Sequence, residues 1–304
     1  MKSYAPIAYF VYNRPDKTKL SIDALSSNCL AKDSDIFIFS DGAKDDHADK
    51  KKVEEVRELI KYVKNFKNIF VINREKNIGL YENFTQGITQ ICNKFGKVIV
   101  VEDDNLVSKY FLNYINDGLN IYENETKVCA INGWFFPEEN NLEKTFFIKG
   151  GDTWGWGTWK RAWIKFNPDT NFLIKELKKR KLERKFNLNN SFNFFKMLQK
   201  RHERLNDSHT IIWKASTFLE GMLSLHPSKS LVKNIGFDGS GTHSKNSDST
   251  HVHKDINEQR INMEKIEIQE DIEATKFIIK FYRKKKLFLL KKKIFNKIFR
   301  FFGS

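Results

Sequence analysis

The first third of the chain alternates between short aliphatic runs and longer stretches in which apolar residues recur every three or four positions. Short aliphatic runs are typical of strands buried on both faces, whereas the wider spacing is typical of helices that pack on a sheet. The pattern predicts strands at residues 6–12, 35–39, 68–73 and 97–102. It predicts intervening helices at residues 16–26, 50–64 and 80–95. This alternation predicts an α/β fold, with a parallel sheet covered by helices on both faces.

The rest of the chain follows a less regular pattern and shows no internal repeat. Apolar spacing predicts helices at residues 110–122 and 211–225, and helical, basic segments between 172 and 202. A strand is predicted at residues 128–132, and residues 230–244 are predicted to form a strand followed by a Gly-rich loop. From residue 272 to the end the pattern is again helical.

Polar residues follow three of the predicted strands at the point where each strand ends. Asn13 and Arg14 follow the first strand, Asp41 follows the second, and the triplet Glu102-Asp103-Asp104 ends the fourth. In open α/β sheets, ligands bind in a crevice at the carboxyl ends of the strands. We therefore expect these side chains to lie close together at one edge of the sheet.

The triplet Glu102-Asp103-Asp104 concentrates negative charge at the end of the aliphatic run VIVV. Adjacent carboxylates repel one another, and burial without a partner raises their pKa values. A divalent cation relieves that cost, since Mg²⁺ and Mn²⁺ favour carboxylate and phosphate oxygens. The position after a buried strand favours a metal–diphosphate site, and the alternative is a solvated acidic turn before the next helix.

Two common phosphate-binding loops are absent from the sequence. There is no GxxxxGK[ST] segment, and no GxGxxG follows the first predicted strand. A phosphate ligand would therefore need other cations, such as a metal ion and nearby Arg or Lys side chains.

The net charge of +15 is concentrated near the C-terminus. Residues 276–304 contain 11 Lys and Arg and no acidic residue, whereas the preceding 275 residues contain 42 basic and 38 acidic residues. A nearly neutral body with a cationic tail argues against a nucleic-acid-binding protein, which would carry a basic stripe on its folded part.

Three dispersed cysteines, Cys29, Cys92 and Cys129, form no CxxC motif, which favours free thiols in a reducing compartment. Each lies beside apolar residues, so we expect inert core thiols. The N-terminal apolar run is short and lacks a small-residue cleavage site, so it is predicted to be a strand. With no apolar run long enough to span a bilayer, the chain is predicted to be cytoplasmic.

Four segments together resemble the GT-A type nucleotide-sugar glycosyltransferases: PIAYFVYNRPDKT, FSDGA, NREKNIGLYENFTQGI and VIVVEDDNLVS. The resemblance is greatest to bacterial sugar transferases of the family-two superfamily and extends, more distantly, to N-acetylglucosaminyltransferase I, whose metal motif is also EDD. The later segments GGDTWGWGTWKRAW and SLVKNIGFDGSGTH resemble further blocks of the bacterial group. The resemblance implies a GT-A fold with a mixed, mostly parallel sheet and transfer of a sugar from a nucleotide donor with inversion, and a UDP-sugar is the expected donor.

The resemblance also implies roles for individual residues. Asp104 would bind Mn²⁺ or Mg²⁺, and Asp41 would accept a hydrogen bond from a uracil-like base. The other residues implied in nucleotide-sugar binding are Arg14, Asn77, Gly79, Asn83, Glu102 and Asp103. Plain alternatives remain, because Arg14 suits a surface position before Pro15, and Asp41 and the segment 77–79 suit turns.

The second half of the chain is expected to supply the acceptor site and the catalytic base. An inverting transfer needs a carboxylate to deprotonate the acceptor, and Asp152 in GGDTWGWG is our candidate, with Glu220 and Asp238 as alternatives. In N-acetylglucosaminyltransferase I the base lies in a later W-D-D-W-like segment. The nearest match in this chain is IIWKAS, which has Lys214 where the resemblance expects an acid, so the base stays open.

Tryptophans and a histidine of the same half complete the expected site. Trp154, Trp156 and Trp159 offer apolar faces for sugar rings, and the alternative is a buried tryptophan cluster. His243, in a Gly-rich segment that could act as a lid, is a candidate second metal ligand, and the alternative is a structural or exposed histidine.

The tail has the pattern of a basic amphipathic helix. At 100° per residue, apolar residues such as Leu287, Leu290 and Ile294 fall on one face and Lys292 and Lys293 fall opposite. Such helices suit an anionic membrane surface, and the alternative is docking on the protein's own core or on a partner subunit. We expect residues 276–304 to bind the inner membrane surface, which places the protein peripherally on its cytoplasmic face.

These observations predict three segments with distinct roles. Residues 1–105 form the nucleotide-sugar-binding half of a domain, residues 106–255 its acceptor-binding and catalytic half, and residues 256–304 a basic tail. The predicted function is metal-dependent transfer of a sugar from a nucleotide donor to a glycan or lipid-linked acceptor in surface polysaccharide synthesis. The alternatives are a catalytically silent relative that binds a sugar or a partner, and a nucleic-acid-binding protein acting through its tail.

Overall fold

A computed structural model describes residues 4–236 and 255–302, with side chains up to residue 291. The strands are β1 (Ile7–Val11), β2 (Asp35–Ser40), β3 (Asn68–Asn73), β4 (Lys97–Glu102), β5 (Asn105–Val107), β6 (Val128–Asn132), β7 (Thr145–Lys149), β8 (Trp156–Trp159), β9 (Leu223–Pro227) and β10 (Val232–Asn234). The helices are α1 (Pro15–Ser26), α2 (His47–Lys61), α3 (Gly79–Phe95), α4 (Phe111–Ile121), α5 (Lys160–Trp163), α6 (Thr170–Lys179), α7 (Glu183–Phe186), α8 (Phe194–His202), α9 (His209–Leu219) and α10 (Ile272–Phe302).

Eight strands form one mixed sheet in the order β3-β2-β1-β4-β8-β6-β9-β7. Strands β3, β2, β1 and β4 are mutually parallel, β8 is antiparallel to both β4 and β6, and β9 is parallel to β6. All residues of β1 and β6 are buried. Since successive strand residues point to opposite faces, helices and loops must cover both faces. The predicted α/β class, with a mixed and mostly parallel sheet, is confirmed.

The carboxyl ends of β1, β2 and β4 are aligned by parallel registers. Val11 lies opposite Ser40, and Phe10 lies opposite Glu102. The residues that follow these strands therefore emerge at the same edge of the sheet, as the crevice rule requires. An aromatic stack lies beneath this edge, with the Phe10 ring 5.1 Å from that of Phe39 and 4.1 Å from that of Phe84.

The helices begin and end where local chemistry requires it. Pro15 starts α1, where its missing N–H is not needed, and the Asp46 side chain caps α2 by accepting a hydrogen bond from the Asp49 N–H at 2.9 Å. Gly96 ends α3 with φ of 78°. The predicted helix over residues 211–225 is wrong in its second part, because α9 stops at Leu219 and Gly221, with φ of 70°, turns the chain into β9.

Two further expectations need correction. β3 is an edge strand with exposed side chains, including Ile69, Phe70 and Val71, so the sheet is not covered on both faces at this edge. Cys29 is exposed, whereas Cys92 and Cys129 are buried and their pKa values are each raised by burial to about 12. Only the latter two are core thiols.

Helix α10 starts in the core and leaves it. Ala274, Ile278, Ile279 and Phe281 are buried, whereas the four residues 287–290 are each more than half exposed. Among the described residues, no helix is both long enough and apolar enough to cross a membrane.

Candidate active site

A cleft of about 1020 Å³ lies at the carboxyl ends of β1, β2 and β4. The cleft is lined by eight residues that the sequence associates with the donor: Arg14, Asp41, Asn77, Gly79, Asn83, Glu102, Asp103 and Asp104. Asp152 and Trp154, expected on the acceptor side, line the same cleft. The fold thus brings residues separated by more than a hundred positions into one site.

The carboxylates of Asp103 and Asp104 are bridged by Arg14. One terminal nitrogen of its guanidinium bonds Asp103 Oδ1, and the other lies 3.1 Å from Asp104 Oδ2. The second oxygen of Asp104 accepts hydrogen bonds from the Asn105 amide at 2.8 Å and the Asn234 amide at 3.3 Å. Gly236 closes over this group, since a Cβ built there would lie 2.5 Å from Asp104 Oδ2.

Burial dominates the electrostatics of the triplet. Burial raises the pKa of Asp103 to about 6, even though Arg14 acts to lower it. Burial, reinforced by repulsion from Asp104 and Asp103, raises the pKa of Glu102 well above its usual range. Although burial acts to lower the pKa of Arg14, the attraction of Asp103 and Asp104 is larger and raises it. The triplet holds more negative charge than one guanidinium neutralises, which makes the site favourable for a further cation.

Asp41 holds the turn that forms the neighbouring wall. Its Oδ1 accepts from the backbone N–H groups of Gly42 at 2.8 Å and Ile78 at 3.0 Å. Its Oδ2 accepts from the Gly79 N–H at 3.0 Å and the Asn77 amide at 3.2 Å. A carboxylate offers about four acceptor sites, and protein donors fill all of them. The expected contact of Asp41 with a base stays a prediction, and the observed bonds favour the turn-holding alternative.

Two glycines allow this turn to form. Gly79 has φ of 81°, a left-handed conformation that favours glycine. A Cβ on Gly42 would lie 2.3 Å from the Lys76 carbonyl carbon. The backbones at Gly42 and Lys76 therefore lie too close together for a side chain at residue 42. Behind them, Asn83 is buried and its Oδ1 accepts from Arg74 Nε at 3.1 Å. Asn83 therefore supports the wall of the cleft from below.

The second half of the chain contributes carboxylates, aromatic rings and lysines to the cleft. The Oδ1 of Asp152 accepts from the Thr153 N–H at 2.9 Å, which fixes its orientation. The Trp154 ring packs edge-on against Trp134 with centroids 4.7 Å apart. Lys214 lies above the Phe194 ring at 5.0 Å. Together with Asp207, which also lines the cleft, these residues offer two acids, flat apolar ring faces and positive charge.

Two of the three expected acceptor tryptophans do not belong to the site. Trp156 is fully buried and packs 5.6 Å from Trp213, and Trp159 is 2% exposed and donates its indole N–H to the Leu119 carbonyl at 3.0 Å. They belong to β8, whose side chains all lie in the core, so the buried-cluster alternative applies to them. Of the three, only Trp154 lines the cleft.

Of the two alternative bases and the candidate second metal ligand, the structure describes only Glu220. Glu220 is exposed, pairs with Lys165 at 2.9 Å and does not line the cleft, so it is wrong as a candidate base. His243 and Asp238 lie outside the described residues.

Several cleft residues were missed by reasoning from the sequence. They include Lys44, Trp134, Phe192, Phe194, His209, Tyr282 and Lys285. Tyr282 packs against Phe192 with centroids 4.6 Å apart, so α10 forms part of the cleft wall rather than an appendage. The sequence signal was the helical apolar spacing of the tail, for which docking on the protein's own core was the alternative interpretation.

The acidic residues of the cleft suit a divalent cation that the protein holds only in part. Asp104 offers the carboxylate oxygens that Mg²⁺ and Mn²⁺ favour, at the edge of a cleft large enough for a diphosphate. In the part of the chain that the structure describes, no three His, Cys, Asp or Glu side chains converge closely enough to cage an ion. The residues fit a cation held by one or two carboxylates and completed by substrate oxygens, and they do not fit an all-protein cage.

Comparisons with known proteins give remote likenesses only. The chain is similar to S. aureus TarS 1–349 with a TM-score of 0.44 and 13% identity, over 75% of this chain and 59% of that one. It is similar to TarS 1–349 in complex with UDP-GlcNAc with a TM-score of 0.34 and 17% identity, over 47% and 39%. It is similar to the mannosyltransferase PcManGT from Pyrobaculum calidifontis, in complex with GDP-Man and Mn²⁺, with a TM-score of 0.33 and 11% identity, over 45% and 37%.

The chain thus spans less than two thirds of the length of each of these proteins. No family model matches the chain, and neither does any curated protein. The TM-scores are too low for these likenesses to assign a function.

Proposed function

We propose that this protein is a glycosyltransferase that moves a sugar from a nucleotide-diphosphate donor to a glycan or lipid-linked acceptor. One observation carries the proposal: the strand-end triplet and Asp152, which are far apart in sequence, line a single cleft of about 1020 Å³. A volume of this size suits a nucleotide sugar with part of an acceptor. The sequence resemblance adds support, and a UDP-sugar remains the preferred donor.

The donor would lie along the ends of β1, β2 and β4. The turn held by Asp41 would form the wall beside the base and ribose. Glu102 and Asp103 would contact the ribose and the sugar, and Arg14 would bond the diphosphate from its position between Asp103 and Asp104. A guanidinium offers several fixed donors, so Arg14 can keep its carboxylate bonds and still bind a phosphate oxygen.

Departure of the nucleoside diphosphate leaves negative charge that the cleft must stabilise. A divalent cation, when bound at Asp104, supplies Lewis-acid stabilisation of that charge. Arg14 adds a positive charge fixed on the same side. Asp152 would accept the proton of the acceptor hydroxyl. The acceptor oxygen would then bond the anomeric carbon on the face away from the departing diphosphate, which gives inversion.

The acceptor side and the helix α10 favour an acceptor presented at a membrane. Tyr282 and Lys285 of α10 line the cleft, while residues 287–290 of the same helix expose apolar side chains. We propose that the tail binds the cytoplasmic membrane surface and that the acceptor is lipid-linked. No nucleic acid is expected in the cleft.

One observation favours the second candidate, a catalytically silent sugar-binding relative. Lys214, which stands where the resemblance expects an acid, lines the cleft. The distant relation to N-acetylglucosaminyltransferase I, on which that expectation rests, also stays a proposal. A silent relative would bind nucleotide sugars without releasing the nucleotide.

Thermal unfolding with a panel of UDP-, GDP-, dTDP- and CMP-sugars tests donor binding. We expect one donor to raise the Tm in the presence of Mn²⁺ or Mg²⁺, because ligand at about 100 times its Kd stabilises the folded state by about 2.7 kcal/mol. Asp104→Asn should abolish the metal-dependent part of the shift, and Asp33→Asn, at an exposed aspartate, should leave it unchanged. A panel without any shift in the folded wild-type protein would overturn the proposal.

A further inference from the structure

The near-neutral charge of the folded body conceals a strongly basic segment. Residues 170–204, which we call the basic lobe, contain 11 Lys and Arg and three Glu. The lobe comprises α6, α7 and α8. Outside the lobe and the tail, the chain contains 31 basic and 35 acidic residues. The excess of positive over negative charge therefore lies in the basic lobe and the tail, and the basic lobe is part of the folded body.

The charges of the basic lobe face solvent. All its Lys and Arg except Arg201 are exposed. Arg201 is half-buried, with its guanidinium 4.5 Å above the Tyr81 ring. Among the acids, Glu176 takes up part of the charge through Lys179 at 3.7 Å and Arg180 at 2.8 Å. Most of the positive charge remains available to an external anionic surface.

The basic lobe and helix α10 meet at the rim of the cleft. Tyr282 of α10 packs against Phe192 at 4.6 Å and against Phe194, at the start of α8, at 6.2 Å between ring centroids. All three rings line the cleft. The two basic segments are thus joined through the cleft wall, and a surface that binds both would lie beside its opening.

Both segments expose apolar side chains next to their charges. Leu287, Phe288, Leu289 and Leu290 of α10 are each 51% to 59% exposed. In the basic lobe, Phe172 is 46% exposed and shares a helix face with Lys175 and Lys179 by its spacing. Leu205, directly after the lobe, is 69% exposed. Exposed aliphatic side chains gain no binding energy from the phosphate backbone of a nucleic acid. On a bilayer they enter the boundary between lipid headgroups and acyl chains, which stabilises binding.

We propose that the basic lobe and α10 together form one face that binds an anionic lipid bilayer, with the cleft opening beside that surface. The basic lobe supplies long-range attraction, and the apolar residues of α10 supply insertion. The face extends the membrane contact from the tail to the folded body. It does not depend on the sugar transfer, because vesicle binding is measured without substrates.

The test uses the full chain and sedimentation with vesicles, made either of phosphatidylcholine alone or of equal parts phosphatidylglycerol and phosphatidylcholine. The lobe variant replaces Lys175, Arg184, Lys185 and Lys200 with Gln, all exposed positions. The matched control replaces the exposed residues Lys32, Lys51, Lys52 and Lys64 with Gln, which changes the net charge equally. Circular dichroism and thermal unfolding confirm that each variant is folded.

We expect the wild-type protein to bind only the anionic vesicles and the lobe variant to bind them at least tenfold more weakly than the control, since each surface cation contributes several-fold to such binding. Leu287→Ser with Leu290→Ser should also weaken binding at least tenfold, with all charges intact.

Equal affinities of the lobe variant and the control would overturn the proposal. So would an unchanged affinity of the leucine variant combined with tight binding of single-stranded RNA by the wild type, which would assign the face to nucleic acid. The proposal would also be overturned if sedimentation velocity showed a wild-type dimer that the leucine variant does not form. That result would assign the face to a second copy of the chain.

Discussion

Replacing Asp41 with Asn removes acceptors from the turn that forms one wall of the cleft. Asp41 is 4% exposed, and its two oxygens accept from three backbone N–H groups and the Asn77 amide at 2.8 to 3.2 Å. An Asn side chain keeps one acceptor oxygen and places an NH₂ group where the other oxygen was. In either amide orientation, two protein donors then face another donor.

The size of the effect follows from those two lost partners. A buried donor left without an acceptor costs about 1–3 kcal/mol, so Asp41→Asn should lower the free energy of unfolding by about 3 kcal/mol after relaxation. In a domain of this size the Tm should fall by roughly 5–10 °C. Urea denaturation followed by tryptophan fluorescence measures the change, with Asp33→Asn as the control at an exposed aspartate.

The same variant decides between the two roles considered for Asp41. If the side chain holds the turn, stability and affinity for every nucleotide should fall together. A variant of unchanged stability that had lost only its preference between uridine and other nucleotides would refute the turn-holding role and support direct contact with the base.

Three further predictions concern charge, catalysis and packing. Since the pKa of Asp103 is raised to about 6, the folded protein binds more protons than the unfolded chain just below that pH. The free energy of unfolding should therefore fall as pH rises through 6. Urea titrations at a series of pH values should show a smaller fall for Asp103→Asn than for the wild type, and an equal fall would contradict the raised pKa of Asp103. Asp152→Asn should lower kcat by about 10²–10⁴-fold with nucleotide affinity unchanged, and full activity would exclude Asp152 as the base. Trp156→Phe should lower the free energy of unfolding by about 2 kcal/mol, whereas Trp154→Phe should mainly raise the KM for the acceptor. The reverse pattern would indicate that Trp156, and not Trp154, contacts the acceptor.

The donor half of the site could be predicted because its features are local in sequence. Strand β4 was predicted with its observed bounds, and β1, β2 and α3 within one or two residues. Each parallel strand ends at the same edge, so the residues after β1, β2 and β4 had to meet whatever the detailed packing.

The acceptor half resisted prediction because its geometry depends on long-range pairing. Trp156 and Trp159 are core residues because β8 lies between β4 and β6 in the sheet. The local sequence pattern does not predict this strand pairing. Tyr282 and Lys285 entered the cleft because α10 folds back on the body. The sequence predicts the basic segments between residues 172 and 202, but their contact with α10 through Phe192 and Tyr282 depends on the fold.

The central claim is most directly tested by the release of nucleoside diphosphate from nucleotide sugars in the presence of Mn²⁺. We predict release from at least one donor by the wild-type protein and by Asp33→Asn, and release at least about 100-fold slower by Asp104→Asn. Release that is independent of added metal and unchanged in Asp104→Asn would contradict the assignment of the strand-end carboxylates to the reaction.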